Sequence, residues 1–388
     1  MSIPIELNDR ESLIKASNVS LGSKVVQQYS NILSPIAVDS VMKIVNPEAP
    51  GMVDLRDVKI ITKLGGTIED SEMCDGMILD QRTRTDIKMM KNAKVGIIQF
   101  CISPPKTDMD NQVMISDYSQ MDRVLREERA YILNIVKTIK KSGCNVVLVQ
   151  KSILRDALAD LAIHFLNKVK IMVISDIERA EIEFISKTIG ARPIASLDHF
   201  HESNLAKVDL IEEVAVGTSK VVRFTGLPMQ KQPTVSVLLR ASNNLVLSET
   251  ERSVHDALCV VRSLVKNQAL IPGAGAPETQ VAVRLAQKAR ETDGVAAYCY
   301  QAYAEALEII PFTLAENAAL NAIETVTELR SRHAKGEIHA GISVKRQGIA
   351  NAVDEGVVQP LLVSLSCFNL ATECTRSILK IDDIVNVG

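Results

Sequence analysis

Apolar residues along the chain change rhythm twice. Between residues 24 and 45 they recur at Val25, Val26, Tyr29, Ile32, Leu33, Val38, Val41 and Met42, roughly the spacing of one helix face. Before that, Asp9 to Ser12 predicts only one short turn, and Pro35 predicts a break or kink inside the helix. The rhythm then shortens. Residues 58–61 predict a strand ended by Gly65-Gly66, and 94–100 predict another. The run 103–108, with Pro104-Pro105, can form neither a helix nor a central strand. Residues 117–141 predict a charged helix with a narrow stripe of Met121, Leu125, Ile132, Val136 and Ile139, stopped by Gly143. A strand at 145–150, a helix at 152–167, a strand at 170–175, a helix at 177–189 and a short strand at 192–195 follow. That alternation predicts a small α/β domain, with the charged helix as an excursion from it.

Strand-like runs at 220–225 and 234–240 lead out of this middle region. From Ser248 onward the pattern predicts helices almost throughout, at about 249–268, 277–292, 294–310, 316–333 and 360–379. Helical, then α/β, then helical is the order expected when a middle domain is inserted between the halves of flanking ones. No short repeat or low-complexity segment interrupts it.

Composition narrows the function classes. With 388 residues the chain exceeds what one core supports, so two or three domains are expected. Hydrophobic residues make up 46%, but aromatics only 3% with no Trp, so the core must be aliphatic. The 44 basic and 47 acidic residues nearly balance, which argues against a nucleic-acid or membrane footprint. Seven cysteines without a CxxC pair, two of them (Cys144 and Cys259) in apolar runs, are expected to be buried free thiols in a reducing compartment. The N-terminus lacks the basic and apolar regions of a signal peptide, and no apolar run is long enough to span a bilayer. A soluble, cytoplasmic protein is the expectation.

Local motifs carry less. Gly273-Ala274-Gly275-Ala276-Pro277-Glu278 suits a turn into a helix, with Pro277 at its first position and backbone N–H groups able to face an anion. As a dinucleotide fingerprint it lacks a third glycine and a preceding strand; by itself it fits an ordinary interhelix turn as well. Asp256 falls opposite the stripe Val254, Ala257, Leu258, Val261, Leu264 and Val265, on the polar face with Arg252 and Ser263. It is either a carboxylate presented to a cleft or a solvated helix aspartate. His199 and His201 lack further ligands for a zinc site, so a surface loop is expected there and no metal ligand is assigned. His164, His255 and His333 join no nucleophile arrangement.

Longer strings resemble the group II chaperonins. The helix Ser248 to Leu258, SETERSVHDAL, resembles the one bearing the family's hydrolytic aspartate, and Gly273 to Glu278 resembles the GGGAPE turn after it. Ile310-Pro311 with Thr313 to Ala318 resembles the IP-x-TLAENAG element. Val357 to Pro360 and Ala371 to Glu373 resemble the closing equatorial helices, and Asp54 to Val58 with Lys63 to Gly66 the strand entering the apical domain. Lys106 to Asn111, Arg123 to Leu133 and Ile378 to Asp383 narrow the likeness to one subunit type of the eukaryotic cytosolic chaperonin.

This resemblance implies an α/β multidomain chain with the chaperonin fold. Residues 1–65 and 230–270 would be the mixed intermediate domain, 66–229 the α/β apical domain with a helical protrusion at 103–142, and 271–388 the helical C-terminal half of the equatorial domain. It implies an ATP-dependent, Mg2+-requiring subunit of a hetero-oligomeric double ring that binds unfolded polypeptides, with neither nucleic acid nor membrane as partner. Asp256 would orient the attacking water. Gly273, Ala274 and Gly275 would contact nucleotide, as would the SLNSK-like Gly22, Ser23 and Lys24, the GINV-like Gly341, Ile342 and Ser343, and the ribose-facing Gln359. Polypeptide binding would fall to the helix expected at 152–167 and the base of the protrusion, with Lys151, Ile153, Leu154 and Arg155 as candidates.

The family's LGPxG, NDG and GDGTT strings do not occur in these residues, and Met1-Ser2 matches an internal Met-Ser of the family. Gly22 and Ser343 replace asparagines, and Ala274 replaces a glycine. An N-terminally truncated subunit, incapable of ATP turnover by itself, is therefore expected. The alternative is a chaperonin-like protein that binds polypeptides or chaperonin partners without turnover.

Overall fold

The structure, a computed structural model, describes every residue except 47, 48, 50, 75, 105–116, 154–155, 228–232 and 386–388. In chain order the elements are β1 (Ile3–Pro4), α1 (Arg10–Leu21), a 3-10 turn (Val25–Tyr29), α2 (Ser30–Ile44), β2 (Val58–Leu64), β3 (Glu72–Cys74), β4 (Met77–Leu79), β5 (Met89–Ile98), α3 (Tyr118–Lys141), β6 (Val146–Gln150), α4 (Asp160–Val169), β7 (Met172–Ile177) and α5 (Arg179–Ile189). Then come β8 (Ala206–Val216), β9 (Ser219–Thr225), β10 (Val235–Ala241), α6 (Asn244–Lys266), β11 (Ala269–Pro272), α7 (Ala276–Glu291), α8 (Val295–Asn317), α9 (Ala322–Ala334), β12 (Ala340–Ser343), β13 (Gly348–Asn351), β14 (Val358–Pro360) and α10 (Leu361–Leu379). They divide into two compact units. One comprises Met1–Val38, Pro47–Val53 and Ser253–Gly388; the other comprises Asp39–Asn46 and Asp54–Arg252.

In the second unit, the described residues form a six-stranded sheet of order β4-β9-β8-β5-β6-β7. Strands β5, β6 and β7 run parallel, and β8 pairs with β5 antiparallel. Side chains alternate between its faces. Val95, Ile97, Val146 and Leu148 pack with Ile182, Ile185 and Ile189 of α5. Val147, Val149 and Val173 pack on the other face with Ile132, Val136 and Ile139 of α3 and Leu166 of α4. Both faces are covered, which is why β6 reads as an unbroken apolar run. A smaller sheet, β2-β10-β3, pairs Val58–Leu64 in parallel with Val235–Ala241.

Two expectations fail here for nonlocal reasons. The helix expected from residue 152 begins at Asp160, because Ile102 takes the preceding backbone: its N–H donates to Ala157 O (2.8 Å) and its O accepts from Ala159 N–H (3.1 Å). The stripe of α3 is buried only in its C-terminal half; Met121 and Leu125 are exposed. Strand β8, absent from the sequence reading, pairs with both β5 and β9.

The first unit is helical with small strands that the sequence reading had passed over: the sheet β1-β11-β14 and the hairpin β12-β13. The short turn expected near Asp9 is a full helix of 12 residues, α1, capped by the Asp9 carboxylate accepting from Ser12 N–H. Helix α8 runs through Pro311 instead of stopping before it, losing one backbone bond at that point. It ends where Ala319 adopts φ +57°, with Leu320 N–H donating to Ala315 O (3.0 Å). All seven cysteines are free; Cys74 and Cys144 are buried, which pushes both thiols up to about 12, but Cys299, Cys367 and Cys374 are exposed, contrary to expectation. Among the described residues no helix is long and apolar enough to cross a membrane.

Candidate functional site

Helix α6 presents Asp256 as its periodicity requires. Val254, Ala257, Leu258, Val261, Leu264 and Val265 are all buried, and Asp256, on the opposite face, keeps 49% of its side chain exposed. Its carboxylate forms an ion pair with the Lys24 ammonium, joining two candidate residues 232 positions apart. Lys24 follows the turn that ends α1, where Gly22 N–H donates to Asn18 O (2.8 Å). Gly22 has φ −66°, so the turn does not itself demand glycine. Ser23 is exposed. A pair with its carboxylate half exposed contributes on the order of 1 kcal/mol or less to stability, so its significance is placement.

A second cluster grows from the turn after β11. Ala274 (φ +59°) and Gly275 (φ +79°) are both left-handed, and α7 follows at once with Pro277 in its first turn. The glycines serve close approach within the protein. A Cβ on Gly341 would lie 2.9 Å from the Ala274 methyl, and one on Gly275 3.0 Å from Pro311 Cβ. Ile342 N–H donates to Ala274 O (3.0 Å), so strand β12 is fastened directly to the turn. The N–H groups of Gly273 and Ala276 donate to Val357 O (2.9 Å) and Gly273 O (3.2 Å). These two donors are therefore spent inside the protein.

Around the turn lies a cleft of about 470 Å3. Ile310, Leu314, Ile342, Val344 and Val357 supply apolar walls, while Ser343, Lys345, Glu355, Gln359 and Glu278 supply polar edges beside Ala274 and Gly275. Burial pushes the Glu278 carboxyl above its ordinary range. Ser343 Oγ donates to Glu355 Oε1 (2.8 Å) and accepts from Arg346 N–H (3.2 Å). Gln359 Nε2 donates to Ser364 Oγ (2.7 Å), which leaves its carbonyl oxygen for a ligand. The volume and the apolar walls with few polar groups suit a flat heterocycle and sugar.

The sequence candidates thus fall into two groups: Lys24 with Asp256, and Ala274, Gly275, Ile342, Ser343 and Gln359 around the cleft, with Gly273 and Gly341 packed behind it. Glu278 was visible beforehand only as the last residue of the GGGAPE-like string and Val344 as the last of the GINV-like one, while nothing in the sequence marked Glu355 or Lys345 as cleft residues. Lys151 and Ile153 belong to the α/β unit and lie after β6 rather than on a helix, with Ile153 99% exposed; Leu154 and Arg155 lie outside the described residues. His199 and His201 sit at short 3-10 turns. Among the described residues no three His, Cys, Asp or Glu side chains gather as a metal group.

Comparison with known proteins gives the family. The family model for the TCP-1/cpn60 chaperonin family matches residues 1–388. T-complex protein 1 subunit delta of Takifugu rubripes is 60% identical over 388 residues, which is 100% of this chain and 72% of that protein. Its Homo sapiens counterpart is 59% identical with the same coverage, and that of Saccharomyces cerevisiae 54% identical over 98% of this chain and 72% of its own length. Among solved structures, the open state monomer of a group II chaperonin from Methanococcoides burtonii superposes with a TM-score of 0.73 at 29% identity, covering 98% of this chain and 88% of that one. With the model matched end to end and relatives near 60% identical, the chain belongs to the TCP-1/cpn60 chaperonin family.

Proposed function

We propose that this chaperonin subunit holds the base and ribose side of an adenine nucleotide in the cleft behind Ala274 and Gly275, and that Asp256, steadied by Lys24, is the carboxylate that orients the hydrolytic water. The observation that carries the reading is the convergence of the turn, β12 and Gln359 on one cleft from positions up to 85 residues apart in sequence. Positioning and charge placement supply most of the rate in phosphoryl transfer, so a carboxylate held by a lysine suits the role. Lys24 would also stand ready to exchange its partner for a phosphate oxygen. Residues 66–229 would form the polypeptide-gripping domain, with Lys151, Ile153, Leu154 and Arg155 as its contact residues, and 103–142 its protruding lid. The other residues would divide between the intermediate (1–65 and 230–270) and equatorial (271–388) domains. In a hetero-oligomeric ring in the cytosol, nucleotide turnover would then drive enclosure of unfolded chains.

A second reading, polypeptide or partner binding without turnover, draws on one feature: the Ser343 hydroxyl is already committed to Glu355 and Arg346 N–H. Calorimetric titration of the purified chain with ATP, followed by phosphate release with and without the other ring subunits, separates the two. The first reading expects binding, and turnover in the ring that drops at least about a hundredfold in Asp256→Ala. Binding without any turnover, in the ring or alone, would leave the second.

A further inference from the structure

One wall of the cleft is fixed from behind. His333, in the last turn of α9, is only 2% exposed, and each of its ring nitrogens meets an oxygen: Nδ1 lies 2.8 Å from Gln280 Oε1 and Nε2 lies 2.9 Å from Ala340 O. Gln280 belongs to α7, the helix opened by the Gly275 turn, and Ala340 begins β12, which continues into Ile342 and Ser343. A carbonyl can only accept, so Nε2 carries a proton. Burial holds the ring's pKa below its ordinary value and favours the neutral form. The neutral ring accepts at Nδ1 once the Gln280 amide turns its NH2 toward it. A buried imidazole satisfied at both nitrogens joins two elements rigidly. Beside the cleft, β12 is fastened to the turn that precedes α7 by Ile342 N–H donating to Ala274 O.

We propose that His333 is a positioning residue for the nucleotide cleft: by joining Gln280 of α7 to Ala340 of β12 it sets the gap between the Ala274-Gly275 turn and the Ile342-Ser343 wall. It touches no ligand itself, and the proposal rests on the nucleotide reading of the cleft. A histidine that merely filled the core would contribute to stability and leave that gap alone.

Two measurements on the full chain separate these cases: amide hydrogen exchange at Ile342 without nucleotide, and calorimetric titration with ADP. His333→Ala should expose the Ile342 amide and weaken ADP binding about tenfold, the scale of one lost hydrogen bond. His333→Gln, which can still donate to Ala340 O, should restore both. Gln280→Leu, of similar volume, should reproduce the His333→Ala result if that variant fails to fold. Unchanged Ile342 protection in either folded variant would overturn the positioning role whatever ADP does. A parent chain that does not bind ADP, with Ile342 protection still dependent on His333, would overturn the nucleotide reading and reduce His333 to a core clamp.

Discussion

In strand β6 of the α/β unit, Val146, Val147, Leu148 and Val149 are each 0% exposed, whereas along α10 of the helical unit Leu370, Ile378 and Leu379 are 70%, 62% and 80% exposed. Both stretches carry several large aliphatic side chains. The difference lies in how each secondary structure finds cover. A parallel strand carries its neighbours on either side and helices on both faces, so its apolar residues are enclosed within one compact unit. A helix shows one stripe outward and depends on whatever lies against it. Among the described residues of α10, Ser364 is the one buried position. Apolar content therefore states a demand for burial, and only topology says whether the same unit meets it.

Truncation mutants would sharpen this contrast most. Leu148→Ala should cost about 2–5 kcal/mol, because the methyl groups leave a cavity between the sheet and α5. Leu379→Ala, at the exposed end of α10, should change stability by less than about 0.5 kcal/mol. Urea unfolding followed on each unit measures both. Equal costs would mean that α10 is packed in solution.

Glu213 shows that the α/β unit encloses charge as tightly as it encloses valines. Its side chain is 3% exposed, yet it accepts from Thr83 N–H (3.0 Å) and is paired with Lys220 (3.0 Å) and Lys88 (3.2 Å). Burial pushes its carboxyl up, but the bonds from Thr83, Lys220 and Lys88 together outweigh burial and hold it at about 2, against 4.5 in the unfolded chain. A depressed carboxylate stabilises the fold above its unfolded value, and that contribution is lost as pH falls from 4.5 toward about 2. Glu213→Gln should lower stability at neutral pH and flatten this acid limb. A stability–pH curve for the two proteins checks both, and an acid limb unchanged in the variant would assign it to other carboxylates.

A more modest gain concerns the helical unit's own irregularities. Ala274 and Ala319 occupy left-handed backbone at φ +59° and +57°. Left-handed geometry costs a residue with a Cβ about 1–2 kcal/mol, and glycine loses part of that gain through its freer unfolded chain. Ala274→Gly and Ala319→Gly should each raise stability by about 0.5–1 kcal/mol, read as a higher midpoint in thermal unfolding. A drop instead would show that the methyl of Ala274 against Gly341 outweighs the strain.

Periodicity was most informative where burial is local. The runs at β5, β6 and β7 announce themselves because consecutive residues are enclosed on both faces of the sheet, and the stripe of α6 because every third and fourth residue is. Strand β8 hid behind Lys207, Asp209, Glu212 and Glu213, even though Ala206 and Val208 alternate with the exposed charges and Glu213 turns inward. The start of α4 depended on Ile102, more than fifty residues earlier, and no window of sequence contains that pairing. The same holds for the site. Asp256 and Lys24 were singled out by family likeness, since no rhythm connects positions 232 apart. The place of Glu355 beside Ser343 follows from the path of the hairpin, and the role of His333 from two neighbours on other elements.

The turn at Ala274 has a shape that its own residues do not prefer. It is held as a casting is held by its mould: Val357 takes the Gly273 N–H, Pro311 stands against Gly275, and β12 is pinned across Ala274 by Ile342. The memory of that geometry is therefore stored outside the turn.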